Sequence, residues 1–147
     1  MEIRSFDFCP QEAMSIRVRV FMDEQGFCDE FDEIDNISTH LVAYDEDTPI
    51  ATCRVFKNSD GEYQIGRLAV IPEYRGKSIG ASMLAACEDI VATRGGDRVL
   101  LHSQCRAQSF YAKYGFVAYG EIDYDEDCPH VWMKKSVARL GETNENN

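Results

Sequence analysis

The spacing of apolar positions along this chain switches between periods of about two and about 3.6, and each switch marks an element. Glu2–Phe6 predicts a short first strand. Pro10 opens a helix in which Ala13, Ile16, Val20 and Phe21 recur at helical spacing, and Gly26 ends it. An acidic loop, Phe27–Ser38, follows. His40–Tyr44 and Ile50–Phe56 predict a hairpin with a longer turn over Asp45–Pro49. Asn58–Gly61 signals another turn, and Tyr63–Val70 is the next strand. Ser78–Arg94 predicts a helix with Ile79, Met83, Cys87, Ile90 and Val91 as its buried stripe, stopped by Gly95-Gly96. Val99–His102 is a short strand, a helix near Ala107–Tyr114 ends at Gly115, and Phe116–Tyr124 and His130–Lys134 are two last strands. The order is β-α-β-β-β-α-β-α-β-β. It describes one α/β domain over residues 1–137 with a polar, fraying tail, 138–147. The strands on either side of the Ser78–Arg94 helix are expected to lie parallel, joined by a right-handed crossover.

Composition narrows the function. At 147 residues and 44% hydrophobic content the chain has enough length for a real core. No apolar run is long enough to span a membrane, and the N-terminus has no signal-peptide core, so a cytoplasmic location is expected. Acidic residues outnumber basic ones 26 to 15, for a net charge of -11. That argues against nucleic acid and anionic membranes as partners and is compatible with a cationic substrate. The six cysteines have irregular spacing and no Cys-x-x-Cys; they read as reduced, mostly buried small hydrophobes.

The stretch of most chemical consequence is Arg67–Ala81, where an apolar strand runs into a turn with two basic residues and two glycines and then a helix. Backbone N–H groups of such a turn and the positive end of the helix dipole converge on one spot, which suits a phosphate group. Gly76-Lys77-Ser78 is not a P-loop, because Ile71 stands where its first glycine is required. A dinucleotide fingerprint fails at Ser78 and Ala81. The acidic runs Asp29–Asp35 and Asp123–Asp127 lack the glycine and glutamate of a calcium loop and read as solvated.

Arg75-Gly76-Lys77-Ser78-Ile79-Gly80 resembles the acetyl-CoA pyrophosphate loop of the GCN5-related N-acetyltransferases, Gln/Arg-x-x-Gly-x-Gly/Ala. Leu68-Ala69-Val70 is similar to that family's central strand. Ala107–Phe116 resembles its second cofactor segment, Ala-x-x-Phe-Tyr-x-Lys-x-Gly-Phe. Val20–Gly26 resembles an element of a small bacterial subgroup related to glucosamine-phosphate acetyltransferases. The resemblance covers roughly Ile3 to Lys135 and implies a mixed sheet of about six to seven strands flanked by helices. It implies acetyl transfer from acetyl-CoA to a primary amine, with no metal. A small-molecule amine leads as acceptor. A protein or peptide amine, and a non-catalytic CoA-binding domain, are the alternatives. A homodimer through the C-terminal strands is also implied.

The same resemblance assigns residues. Backbone N–H groups of Arg75, Gly76, Lys77, Ser78, Ile79, Gly80 and Ala81 are expected around the pyrophosphate. Leu68, Ala69 and Val70 are expected along the pantetheine arm, with one N–H polarising the thioester carbonyl. Ser78 departs from the loop's first glycine, and its N–H serves if its φ is negative. Gln104 replaces the asparagine that begins the second segment. Tyr111 takes the position of the proton donor to the departing thiolate; the alternative is packing on Phe110. His130, in Pro129–Met133, is either general base or a structural histidine. Glu24, Glu33 and Asp35 are candidates to bind a cationic amine, with Glu24 also a proton acceptor. Arg17, Arg19 and Arg67 are candidates for an acceptor's carboxylate or phosphate, against salt bridges to the acidic loop.

Overall fold

The computed structural model describes residues 1–137; the tail 138–147 named above lies outside them. Strand β1 (Glu2–Phe6) leads to helix α1 (Gln11–Arg17), which widens into a π-helical turn, Val18–Glu24. Strands β2 (Thr39–Asp45), β3 (Thr48–Lys57) and β4 (Tyr63–Val70) follow. Helix α2 (Ile79–Thr93), β5 (Arg98–Gln104), α3 (Gln108–Lys113), β6 (Val117–Asp125) and β7 (Cys128–Ser136) complete the order read from the sequence. The seven strands form one sheet, β1-β2-β3-β4-β5-β7-β6. Only β4 and β5, the pair joined through α2, run parallel; the other neighbours are antiparallel.

The helices cover the sheet with the stripes their spacing predicts. Ala13, Ile16 and Val20 of the first helix are buried, as are Ile79, Met83, Cys87 and Val91 of α2, while Ile90 packs at the margin. Each large apolar side chain taken fully from water contributes about 1.5–3 kcal/mol, so these stripes, not local propensity, hold the helices. Among the described residues no helix is long and apolar enough to cross a membrane.

Three expectations change. The β2–β3 turn is tight: Asp45 pairs with Thr48 and only Glu46 and Asp47 intervene, with Glu46 at φ 55. Pro49 joins the strand, where its missing N–H is tolerated near a strand start. The cysteines are free thiols, but only Cys53 and Cys87 are fully buried, with their sulfurs 3.2 Å apart; Cys28 is exposed. The first acidic run is not simply solvated. Glu30 and Asp35 are 4% and 8% exposed, inside a network with Arg17, Arg54, Arg67 and Asp32. Three guanidiniums face three carboxylates there, so the buried charge cancels.

Candidate active site

The site begins with a defect in the sheet. Parallel pairing of β4 with β5 stops at Ile65↔Leu101, although both strands continue. Opposite it, the β3–β4 register shifts between Thr52 and Arg54, and Arg67 takes φ 53. A left-handed non-glycine residue costs about 1–2 kcal/mol and persists only where its surroundings impose it. The bulge turns β4 away from β5 and leaves its Leu68–Val70 edge without a partner from β5.

Two cavities occupy the resulting wedge. The outer groove, about 510 Å³, runs between β4, the Tyr74–Gly80 loop and α3, with apolar walls at Val70, Ile79, Phe110 and Tyr114. The inner pocket, about 200 Å³, is lined by Phe27, Asp29, Glu30, Arg67, His102, Gln104, Asp125 and His130, among others. Gln25, Leu68, Ala107 and Tyr111 line both, so the cavities meet at one seam.

The groove's anion end follows from the start of α2. The first intrahelical bond is Ser82 N–H to the Ser78 carbonyl, so the N–H groups of Ser78, Ile79, Gly80 and Ala81 have no acceptor within the helix. Gly76 sits at φ 78 with open space around it. Ser78 adopts φ 62, correcting the condition that it be negative: serine keeps the left-handed conformation that glycine takes without cost. Its N–H stays at the helix start and its hydroxyl makes no capping bond. A Cβ at Gly80 would lie 3.0 Å from Phe110 Cζ, so the ring would have to give by a few tenths of an ångström. Lys77 is exposed, its ammonium 5.0 Å from the Tyr74 ring centre. These donors, this basic residue and the apolar walls fit the phosphates and acyl arm of acetyl-CoA.

Arg75 has a different role from the one expected. Its N–H donates to the Pro72 carbonyl and is not free. Its guanidinium binds both Glu24 oxygens at 2.7 Å and donates to the Val70 carbonyl at 2.9 Å, tying the π-helical turn to the loop. That pairing holds the Glu24 carboxyl below the usual carboxylate range, and Glu24 lines neither cavity. It is a clamp on Arg75, not a group facing a substrate amine.

For Arg17 the alternative reading, salt bridges to the acidic loop, is the one the structure shows, and Asp35 is corrected with it. Arg17 is 1% exposed and donates to Glu30 and to both Asp35 oxygens. Burial works to raise the Asp35 carboxyl, but hydrogen bonds from Arg17 and Arg54 win and hold it at about 2. Neither has a free group for an acceptor. Glu33 is exposed and outside both cavities. Arg67 does line the inner pocket, with its guanidinium on Glu30 and Asp32. Gln104 lines the inner pocket and not the groove; its amide donates to Gln25 at 2.8 Å and accepts from Arg106 at 2.6 Å. Among the described residues, Cys9, Asp35 and His40 bring ligand atoms within 4.8 Å of one another, but the guanidiniums on Asp35 oppose a cation there.

Tyr111 and His130 face the seam and the inner pocket. The Tyr111 hydroxyl makes no hydrogen bond among the described residues, and its ring packs edge-on against Phe110 and Phe116. Burial, then the neighbouring Cys53 and Cys87 thiols, push the phenol well above its ordinary range, so it stays protonated. His130 is 6% exposed, and its Nδ1 lies 2.8 Å from the Cys128 carbonyl. A carbonyl only accepts, so Nδ1 carries a proton, and in the neutral ring the lone pair is the one on Nε2. His102 escaped the sequence. Its Nε2 lies 2.6 Å from an Asp123 oxygen, and its ring packs 4.7 Å from His130 and 4.6 Å from Trp132. Only the β5–β7 register, Gln104↔His130 and His102↔Trp132, brings these rings together.

Residues 7–137 match the acetyltransferase (GNAT) domain family. The chain is 31% identical to the uncharacterized N-acetyltransferase YjcF of Bacillus subtilis (strain 168), over 85% of this chain and 91% of that protein. Its fold superposes on the crystal structure of Escherichia coli ElaA with a TM-score of 0.81 at 25% identity, covering 92% of this chain and 99% of ElaA. An aminoglycoside 6'-N-acetyltransferase solved with coenzyme A shares the fold at a TM-score of 0.74 and 18% identity, covering 92% of this chain and 97% of that one.

Proposed function

This chain belongs to the GNAT family and is an acetyl-CoA-dependent N-acetyltransferase, and on that premise we propose that it acetylates a primary amine of a small molecule by direct attack in a ternary complex. The meeting of the two cavities at Leu68 and Tyr111 carries this reading: one takes the acetyl donor, the other the acceptor. When bound, acetyl-CoA supplies an acetyl thioester as electrophile. The N–H groups of Gly76, Lys77, Ser78, Ile79, Gly80 and Ala81 hold the pyrophosphate. The β4 edge that β5 leaves at Leu68, Ala69 and Val70 would pair with the pantetheine arm, and one N–H there would polarise the carbonyl, while the Val70 carbonyl already accepts from Arg75. His130 takes the amine proton at Nε2, directly or through a water. Tyr111 donates a hydrogen bond to the departing sulfur. A phenol above 10 does not yield its proton fully to a thiolate whose acid lies near ~8.5, so the bond stabilises charge and does not transfer the proton outright.

The inner pocket's size, about 200 Å³, favours a small acceptor over a peptide, which needs an open groove. The same reading keeps the enzyme in the cytoplasm. A homodimer through the C-terminal strands is supported by β6, a free sheet edge with Val117, Ile122 and Tyr124 exposed. The test is initial-rate kinetics with acetyl-CoA and, in turn, 1,4-diaminobutane, glucosamine 6-phosphate and a peptide with a free N-terminus. Turnover of a small amine with intersecting double-reciprocal lines is expected. Turnover of the peptide alone would move the assignment to peptide acetylation, and parallel lines would exclude direct attack.

A further inference from the structure

The turn between β6 and β7 is held in a form its residues disfavour. Asp125 pairs with Cys128, and the two residues between them, Glu126 and Asp127, both adopt left-handed backbone, at φ 48 and 67. Such a turn favours Asn-Gly; aspartate tolerates the left-handed region, but glutamate is not a cheap substitute. The Glu126 side chain offers a reason. Its two oxygens accept the N–H groups of Cys28 and Asp29, at 2.9 and 3.1 Å, nearly a hundred residues away in sequence. Those bonds hold its carboxyl below the usual range.

The bridge spans the rim of the inner pocket. Asp125 lines the pocket on the hairpin side; Phe27, Asp29 and Glu30 line it on the loop side. Behind the bridge, the Phe27 ring meets His130 edge-on at 6.5 Å. Glu30 is anchored from below by Arg17 and Arg67, so the outer part of this wall, Cys28 and Asp29, is where the Glu126 carboxylate acts.

We propose that Glu126 is a positioning residue: its carboxylate clamps the Phe27–Glu30 wall to the β6–β7 turn and sets how far the inner pocket opens over His130. The inference rests on reading that pocket as the acceptor site. A strained turn is where such a device is expected, because residue choice there answers to something other than local conformation.

Diethyl pyrocarbonate, which acylates accessible imidazoles, tests it without acetyl-CoA or an amine; peptide mass spectrometry reads each histidine separately. In Glu126→Ala, acylation of His130 is expected to accelerate by at least about five-fold, because both hydrogen bonds that hold the outer wall closed are lost. His40, 1% exposed on β2 and lining neither cavity, keeps its wild-type rate. Glu126→Gln, which retains one acceptor oxygen, is intermediate. Asp127→Gly relaxes the turn, keeps the clamp and leaves His130 at its wild-type rate. Acetyl-CoA affinity by calorimetry stays within two-fold in all three variants, since Glu126 does not line the groove. An unchanged His130 rate in Glu126→Ala overturns the proposal, as does an equal rise at His40, which would mean general loosening. Because the readout needs no turnover, failure of the acceptor assignment would appear only in the kinetics above.

Discussion

Tyr111→Phe removes a single oxygen and leaves the ring, and the structure sets what that costs. The hydroxyl makes no hydrogen bond among the described residues, while the ring contacts with Phe110 at 5.1 Å and Phe116 at 5.9 Å survive. Stability therefore holds, with Tm within about 2 °C of wild type. In the reaction the lost bond is one to a developing thiolate. Hydrogen bonds to charged groups contribute about 1.5–3 kcal/mol. At about 1.36 kcal/mol per factor of ten, kcat falls roughly 10- to 150-fold. The raised phenol keeps the effect below the ~10⁴-fold upper range of full proton transfer. The assay is release of the CoA thiol, followed with a chromogenic disulfide at saturating amine. The KM for acetyl-CoA should change less than two-fold, because pyrophosphate and pantetheine contacts are elsewhere. A variant with kcat within two-fold of wild type refutes the reasoning and leaves Tyr111 as a packing residue.

Two further outcomes follow from the same geometry. Gly80→Ala gains about 1 kcal/mol of helix propensity but puts a methyl 3.0 Å from Phe110, a groove wall. Calorimetry should show acetyl-CoA affinity down about five-fold while Tm falls by less than about 4 °C; unchanged affinity would mean that close approach is not what the position requires. Asp35, held at about 2 against an ordinary aspartate value of ~3.9, contributes stability that is complete above the ordinary value and lost as pH falls through about 2. Urea unfolding across pH 2–6 should show Asp35→Asn less stable than wild type at pH 6, with the difference closing towards pH 2; a constant difference would remove the network's carboxylate from acid denaturation.

Much of the fold was legible because each element carries its own period. His40–Tyr44 and Ile50–Phe56 are apolar or alternating runs, α2 repeats every three or four residues, and glycines stand where helices end. The anion loop was legible for a related reason: a phosphate site made of consecutive backbone N–H groups is local in sequence. Charged side chains were legible only as alternatives: salt bridges from Arg17 and Arg67 to the acidic loop were one of two readings, because an ion's role depends on what lies across from it. Glu24 is bound to Arg75, 51 positions away, and Arg17 to Asp35, 18 positions away. Nothing in either segment says which carboxylate meets a guanidinium and which meets solvent. Ser78 shows the same limit for backbone: the residue type argues for negative φ, but the turn into α2 imposes the opposite sign.

Sequence alone therefore determined the element order, the buried stripes and the loop at the head of α2, since these rest on interactions within a few residues. Tertiary structure decided where β4 parts from β5, that two cavities meet at Leu68 and Tyr111, and that His102 lies against His130. It also decided that the first acidic run is largely consumed by arginines of α1, β3 and β4. The physical reason is range. Period, capping and turn chemistry are short-range properties of one segment, whereas register, splay and charge pairing are set between segments brought together only by burial of the common core.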